Sequence, residues 1–177
     1  NILVGVKMEK KNEVIYCLSR GMVTFLFVYY SFYLILGGYF AVVIAQTLTR
    51  ELNTIEILKK SFYISIAVSG MFSSIQYIIK LYKACIGDRI NLVKEEGLKR
   101  LGNSAYFIFR PPFAIAFSIV MVFGMLSGMY AVTGSLDYIL NEKFIYLCVI
   151  MSGFIGFSIG KVINKFSNVS SEKIKNI

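Results

Sequence analysis

Four stretches of this chain contain no charged residue: 21–49, 61–79, 111–136 and 144–160. Each is closed at both ends by charge, in the pairs Arg20/Arg50, Lys60/Lys80, Arg110/Asp137 and Lys143/Lys161. A bilayer core about 30 Å thick takes about 20 residues of helix rising ~1.5 Å each. The runs are 29, 19, 26 and 17 residues long. Lys161 can snorkel outward and lengthen the shortest one, and the longest can tilt. A helix satisfies its own backbone polar groups inside lipid. The runs therefore predict four transmembrane helices, at about 22–46, 61–80, 111–134 and 144–162. Core helices of a soluble bundle would carry a charged outer face, and 56% hydrophobic residues in 177 is high for a soluble domain. The expected fold class is all-α and polytopic, with the four helices arranged as two antiparallel hairpins. The first run is too long for a signal-peptide core and lacks a small-residue cleavage pattern near Ala41 or Ala45, so it is read as a retained helix.

Lys and Arg give the runs a direction. Segment 1–20 holds four, 50–60 three, 80–110 seven, 137–143 one and 161–177 four. One side of the membrane thus receives 15 cations and the other 4. The positive-inside rule places both termini and the 80–110 loop in the cytoplasm. The expected organisation is a cytoplasmic lead (1–20), a four-helix transmembrane domain (21–163) and a basic cytoplasmic tail (164–177). The net charge of +9 is then a topology signal. The cations flank spans instead of forming one dense patch, so direct nucleic-acid binding is not expected. Cys17, Cys85 and Cys148 form no C-x-x-C pair and are expected as free thiols.

Local signals refine the outline. Tyr29, Tyr30, Tyr33 and Tyr39 crowd the first span; the central Tyr33 hydroxyl needs a partner, and Gly37 and Gly38 allow another helix close by. Asn53 and Glu56 have the spacing of a capping box. The second helix is expected to continue past Lys80, with Ile86, Ile90 and Val93 as an apolar stripe and Glu95/Lys99 and Glu96/Arg100 as i,i+4 pairs, until Gly97 and Gly102 weaken or end it. Tyr106-Phe107-Ile108-Phe109-Arg110 reads as an interface anchor, and Pro111 as the opening of the third span. The tail is expected to stay helical to Phe166 and then fray.

Three features are candidates for function. Gly124 and Gly128, and then Ser152, Gly156 and Gly160, recur at four-residue spacing, a pattern that lets helices pack closely within or between subunits. Ser65, Ser69, Ser73 and Gln76 lie on one face of the second helix and lead to Lys80. That stripe admits two readings, a pore lining or an interhelical contact. Lys83, Arg89, Lys94, Lys99 and Arg100 form a basic loop that could meet anionic lipid or an acidic cytosolic protein.

The chain has no histidine, which removes HExxH, Ser-His-Asp and Cys-His chemistry. No charged side chain falls deep in a run, as ion-coupled transport usually needs. No catalytic residue, cofactor or metal is expected. The Ile-, Lys-, Asn-, Ser- and Tyr-rich composition, the small four-span body and the basic face resemble bacterial membrane subunits of defence operons, above all the KwaA-like membrane subunit of the Kiwa anti-phage system. Arg110-Pro111 opening one span and Gly156-Phe157-Ser158 closing the next also resemble a broad class of bacterial membrane proteins. Those often place an acidic residue next, where this chain has Ile159-Gly160. The Kiwa resemblance implies a homo-oligomeric inner-membrane scaffold and sensor, without enzymatic activity, that contacts membrane lipids and holds a cytosolic effector. The alternative is an oligomeric channel or depolarising effector lined by the stripe of the second helix.

Overall fold

The computed structural model describes residues 16–47, 53–87, 90–91, 97–135 and 140–175. Five helices account for nearly all of them: α1 (Arg20–Gln46), α2 (Thr54–Ile86), α3 (Gly97–Ile108), α4 (Arg110–Thr133) and α5 (Glu142–Lys175). β1 (Tyr16–Cys17) and β2 (Ile90–Asn91) add a two-residue parallel pairing. The fold is all-α, and α1, α2, α4 and the 142–163 part of α5 are long and apolar enough to cross a membrane.

The helix ends follow local chemistry. Ser19 caps α1 by accepting the Met22 N–H at 3.2 Å. Asn53 is the N-cap of α2, as its spacing suggests, yet its side chain makes no capping bond and its carbonyl takes the Glu56 and Ile57 N–H groups. Lys60 Nζ donates to the Thr47 carbonyl at 2.9 Å, which ties the start of α2 to the end of α1. Pro111 and Pro112 stand in the first turn of α4, where a missing N–H costs nothing. Gly134, at φ 69°, closes α4 in the left-handed conformation that glycine adopts without steric cost. Asn141 Oδ1 accepts the Phe144 N–H at 3.2 Å and starts α5.

α2 is the central helix, packed against α1, α4 and α5. Along the α1–α2 contact the two chains run in opposite directions: the Tyr30 ring meets Tyr77, and Gly37 meets Ala67. The α4–α5 contact is reversed in the same way. Ala114 shares one end of the bundle with Ile159, Ser118 bonds Ser152, and Val122 joins Phe144, Ile145 and Cys148 at the other end. Two apolar clusters result. One, around Ile44, Ile57, Val122 and Phe144, fills the end where α1 finishes and α2 starts. The other, around Leu18, Tyr30, Tyr77, Phe107 and Ile159, fills the opposite end.

Several expectations are corrected. α2 begins at Thr54, where the Asn53/Glu56 spacing places its start, so the helix carries Lys59 and Lys60 and extends seven residues ahead of the charge-free run. Ile86 ends α2, and Ile90 pairs with β1 instead of extending a helical stripe; Val93, Glu95 and Glu96 lie outside the described residues. Gly97 opens α3 and Gly102 sits inside it, so neither terminates a helix. α5 continues past Phe166 to Lys175. Tyr33 is half-buried, with its ring edge-on to Tyr29 at 5.0 Å and over Gly70. Gly37 does provide close approach: a Cβ there would lie 2.7 Å from the Ala67 carbonyl oxygen.

Candidate functional site

The polar stripe of α2 is turned inward. Ser65, Ser69 and Ser73 are fully buried, together with Ser61 and Ser74 on the same helix. Lipid supplies no hydrogen bonds, so such hydroxyls look to backbone carbonyls and to each other. Ser61 and Ser74 return their protons to Ile57 and Gly70, four residues back, and Ser69 donates to Ile66. Ser118 of α4 donates to the Ser65 carbonyl at 3.2 Å and lies 2.8 Å from the Ser152 hydroxyl of α5. One serine triad therefore stitches α2, α4 and α5 together. The Ser65 and Ser73 hydroxyls and Gln76 Oε1 have no hydrogen-bond partner among the described residues.

The two small-residue rows separate. Gly156 presses on α2, where a Cβ would stand 2.7 Å from the Ser69 carbonyl oxygen, 2.8 Å from Phe72 Cβ and 3.0 Å from the Ser73 nitrogen. Gly160 lies against the Tyr77 hydroxyl, and Ser152 is buried in the triad. Gly124 and Gly128 are exposed on the outer face of α4, with no neighbour within 4 Å of the Cβ position. The α5 row is thus internal packing, whereas the α4 row packs against nothing among the described residues.

The third cluster is one that the sequence placed at a boundary and the structure places inside. α3 ends at Ile108 and α4 starts two residues later, so the chain makes an elbow there. Pro111 and Pro112 lack the N–H groups that would bond the Phe107 and Ile108 carbonyls four residues back, and α1 supplies donors: Tyr30 Oη to Phe107 O at 2.6 Å and Tyr29 Oη to Ile108 O at 3.1 Å. The elbow is thereby drawn into the bundle. Phe107 becomes fully buried and Arg110 retains 3% exposure. Of the run expected as an interface anchor, Phe107 and Arg110 thus turn inward while Phe109 stays exposed. The Arg110 guanidinium lies 4.0 Å from the Tyr106 ring centroid and 5.7 Å from that of Tyr77. Lys80 joins from α2, 4.9 Å and 5.5 Å from the same two rings, and its Nζ donates to the Tyr106 hydroxyl at 2.7 Å. Tyr16 of β1 closes the group, 5.9 Å from Lys80 Nζ.

Among the described residues the cluster gathers two cations and no carboxylate. Arg110 Nη1 is buried with no hydrogen-bond partner among the described residues. A desolvated cation–π contact is worth about 2 kcal/mol, less than the several kcal/mol that burying an unpaired ion costs. Arg110 also opens α4, where the helix dipole disfavours a cation. Burial pushes the Tyr106 phenol up, but the hydrogen bond and charge of Lys80 and the charge of Arg110 outweigh it, so the phenol ionises below the usual tyrosine range.

Of the basic loop, Lys83 and Arg100 are exposed at this same end of the bundle. Arg89 and Lys94 lie outside the described residues, as does the side chain of Lys99. Sequence reasoning missed Ser118, Tyr30 and Arg110 as functional positions. The signals were present in Arg110 directly after an aromatic run, and in Lys80 at the foot of the serine stripe. Comparison with protein-family models, with curated proteins and with solved structures finds no match.

Proposed function

We propose that this chain is a non-enzymatic subunit of the bacterial inner membrane that assembles with copies of itself and holds a cytosolic protein through its basic end. The observation that carries this reading is the gathering of cations. The start of α1, the end of α2, α3, the start of α4 and the later part of α5 share one end of the bundle. Arg20, Lys80, Lys83, Arg100, Arg110 and Lys161 stand there among the described residues, and the sequence count assigns 15 of the 19 Lys and Arg to the same side. By the positive-inside rule this end and both termini are cytoplasmic. Ser61, Ser69, Ser74, Ser118 and Ser152 are taken up in hydrogen bonds within and between the helices, which fits a packing role. Gly124 and Gly128 offer a close-approach face to a second copy. The resemblance to the Kiwa membrane subunit gives the setting, anti-phage defence, with the chain as scaffold and sensor for an effector.

The alternative, an oligomeric channel lined by Ser65, Ser69, Ser73 and Gln76, requires those groups to leave the α2–α5 contact that now buries the three serines. Co-purification from the native host, read by native mass spectrometry in mild detergent, tests the proposal. Charge reversal at Arg89, Lys94, Lys99 and Arg100 should release a cytosolic partner and leave the copy number unchanged. Unchanged partner recovery after reversal, or no partner at all, would remove the basis for the scaffold.

A further inference from the structure

We propose that Lys80 and Arg110 form a binding site for a phosphate-type anion, at the cation-rich end of the bundle and inside the ring of Tyr16, Tyr77 and Tyr106. The first ground is charge. Two cations share the same pair of tyrosine rings, and the described carboxylates cannot reach them. Glu56 and Glu142 stand in the first turns of α2 and α5, at the opposite end of the bundle.

The second ground is the donor set. Arg110 Nη1 is buried and has no acceptor among the described residues. Lys80 Nζ spends one of its three N–H bonds on Tyr106. A planar guanidinium edge beside an ammonium and phenol hydroxyls suits an oxyanion with several acceptor oxygens, as a phosphate ester has. The third ground is position. Arg110 begins a spanning helix and Lys80 lies near the end of another, so the pair sits at the depth where phospholipid headgroups meet protein. Lys80 and Tyr106 are half-buried, and Arg110 is the most enclosed of the three. The site is separate from the exposed loop cations Lys83 and Arg100, which lack an aromatic enclosure.

The test uses the full-length chain, purified and delipidated in neutral detergent. Thermal unfolding is followed by circular dichroism with added phosphatidylglycerol, phosphatidylcholine or inorganic phosphate, and native mass spectrometry counts retained lipid. Phosphatidylglycerol should raise Tm and remain bound at one per chain, with phosphatidylcholine giving neither. A shift with inorganic phosphate equal to that with phosphatidylglycerol would assign the site to a soluble phosphate instead of a headgroup. Arg110→Gln and Lys80→Gln should each weaken binding tenfold or more, while Lys83→Gln and Arg100→Gln leave it within twofold. If Arg110→Gln does not fold, Lys80→Gln decides. Equal effects of both lipids with none from phosphate, no shift with any additive, or full retention in Lys80→Gln would each overturn the site.

Discussion

Replacing Gly156 by Ala should separate α5 from α2, whereas replacing Gly124 by Ala should leave the fold intact. At Gly156 the added methyl would stand 2.7 Å from the Ser69 carbonyl oxygen and 3.0 Å from the Ser73 nitrogen. Both are backbone atoms, so no rotamer change relieves them. Ordinary carbon contacts begin near 3.5 Å, and the helices must part by roughly 0.7 Å at that level. Overpacking of this kind costs about 1–3 kcal/mol. For a chain of this length that is a Tm loss of roughly 2–12 °C. The same methyl at Gly124 has no neighbour within 4 Å, and exchanging Gly for Ala in a helix is favourable by up to about 1 kcal/mol. Thermal unfolding in detergent by circular dichroism reads the first effect, and native mass spectrometry reads assembly. Gly124→Leu, which blocks close helix approach, should lower copy number without lowering the monomer's Tm. A Gly156→Ala chain as stable as wild type would refute the α2–α5 contact. A Gly124→Leu chain that assembles normally would refute self-association through α4.

Two further outcomes follow from hydrogen bonds. Ser118→Ala and Ser152→Ala should show a coupling of about 0.6 kcal/mol in a double-mutant cycle, up to ~1.7 kcal/mol, because their hydroxyls share a 2.8 Å bond; additive unfolding energies would show that the pair is not formed. Tyr106 is held below the usual tyrosine range, against the effect of burial, by the adjacent Lys80 and Arg110. Its depressed value means that the folded state gives up this proton before the unfolded one, so its share of stability is full above the unfolded pKa near 10 and is lost as pH falls through the folded value. Phenolate absorbance should therefore lose its earliest-titrating component in Tyr106→Phe, and an unchanged titration curve would remove Tyr106 from the cluster.

The number of spans was legible because burial of charge in lipid is costly enough to be visible residue by residue. Their ends were less so. Hydropathy marks where the apolar run stops, but Lys59 and Lys60 at one helix and 164–175 at another continue the helix beyond it. Which way each helix faces was not legible at all. In water an apolar stripe points to the core. In lipid the outer face is as apolar as the inner one, so Gly124/Gly128 and Gly156/Gly160 look alike in sequence while only the second pair packs inside the chain. The stripe of Ser65, Ser69 and Ser73 was visible, but only the partner positions Ser118 and Gly156 show that it is a seam.

Arg110 shows why a boundary residue escapes such reading. A cation at the end of an apolar run has two ways to reach a polar environment: outward to water, or inward to groups that another segment brings. Sequence position alone favours the first. The second prevails here because Tyr29 and Tyr30 of α1 take the last carbonyls of α3. That pins the elbow and holds Arg110 against Tyr106 and Tyr77. The residues responsible lie about eighty positions away in the chain. The buried charge is therefore a property of the tertiary fold, and removing the two tyrosine hydroxyls together should release it. In Tyr29→Phe/Tyr30→Phe the elbow loses both anchors, and Arg110 should become accessible to a guanidine-modifying reagent that does not reach it in the native chain. Continued protection in the double variant would show that packing of Phe107 alone holds the elbow.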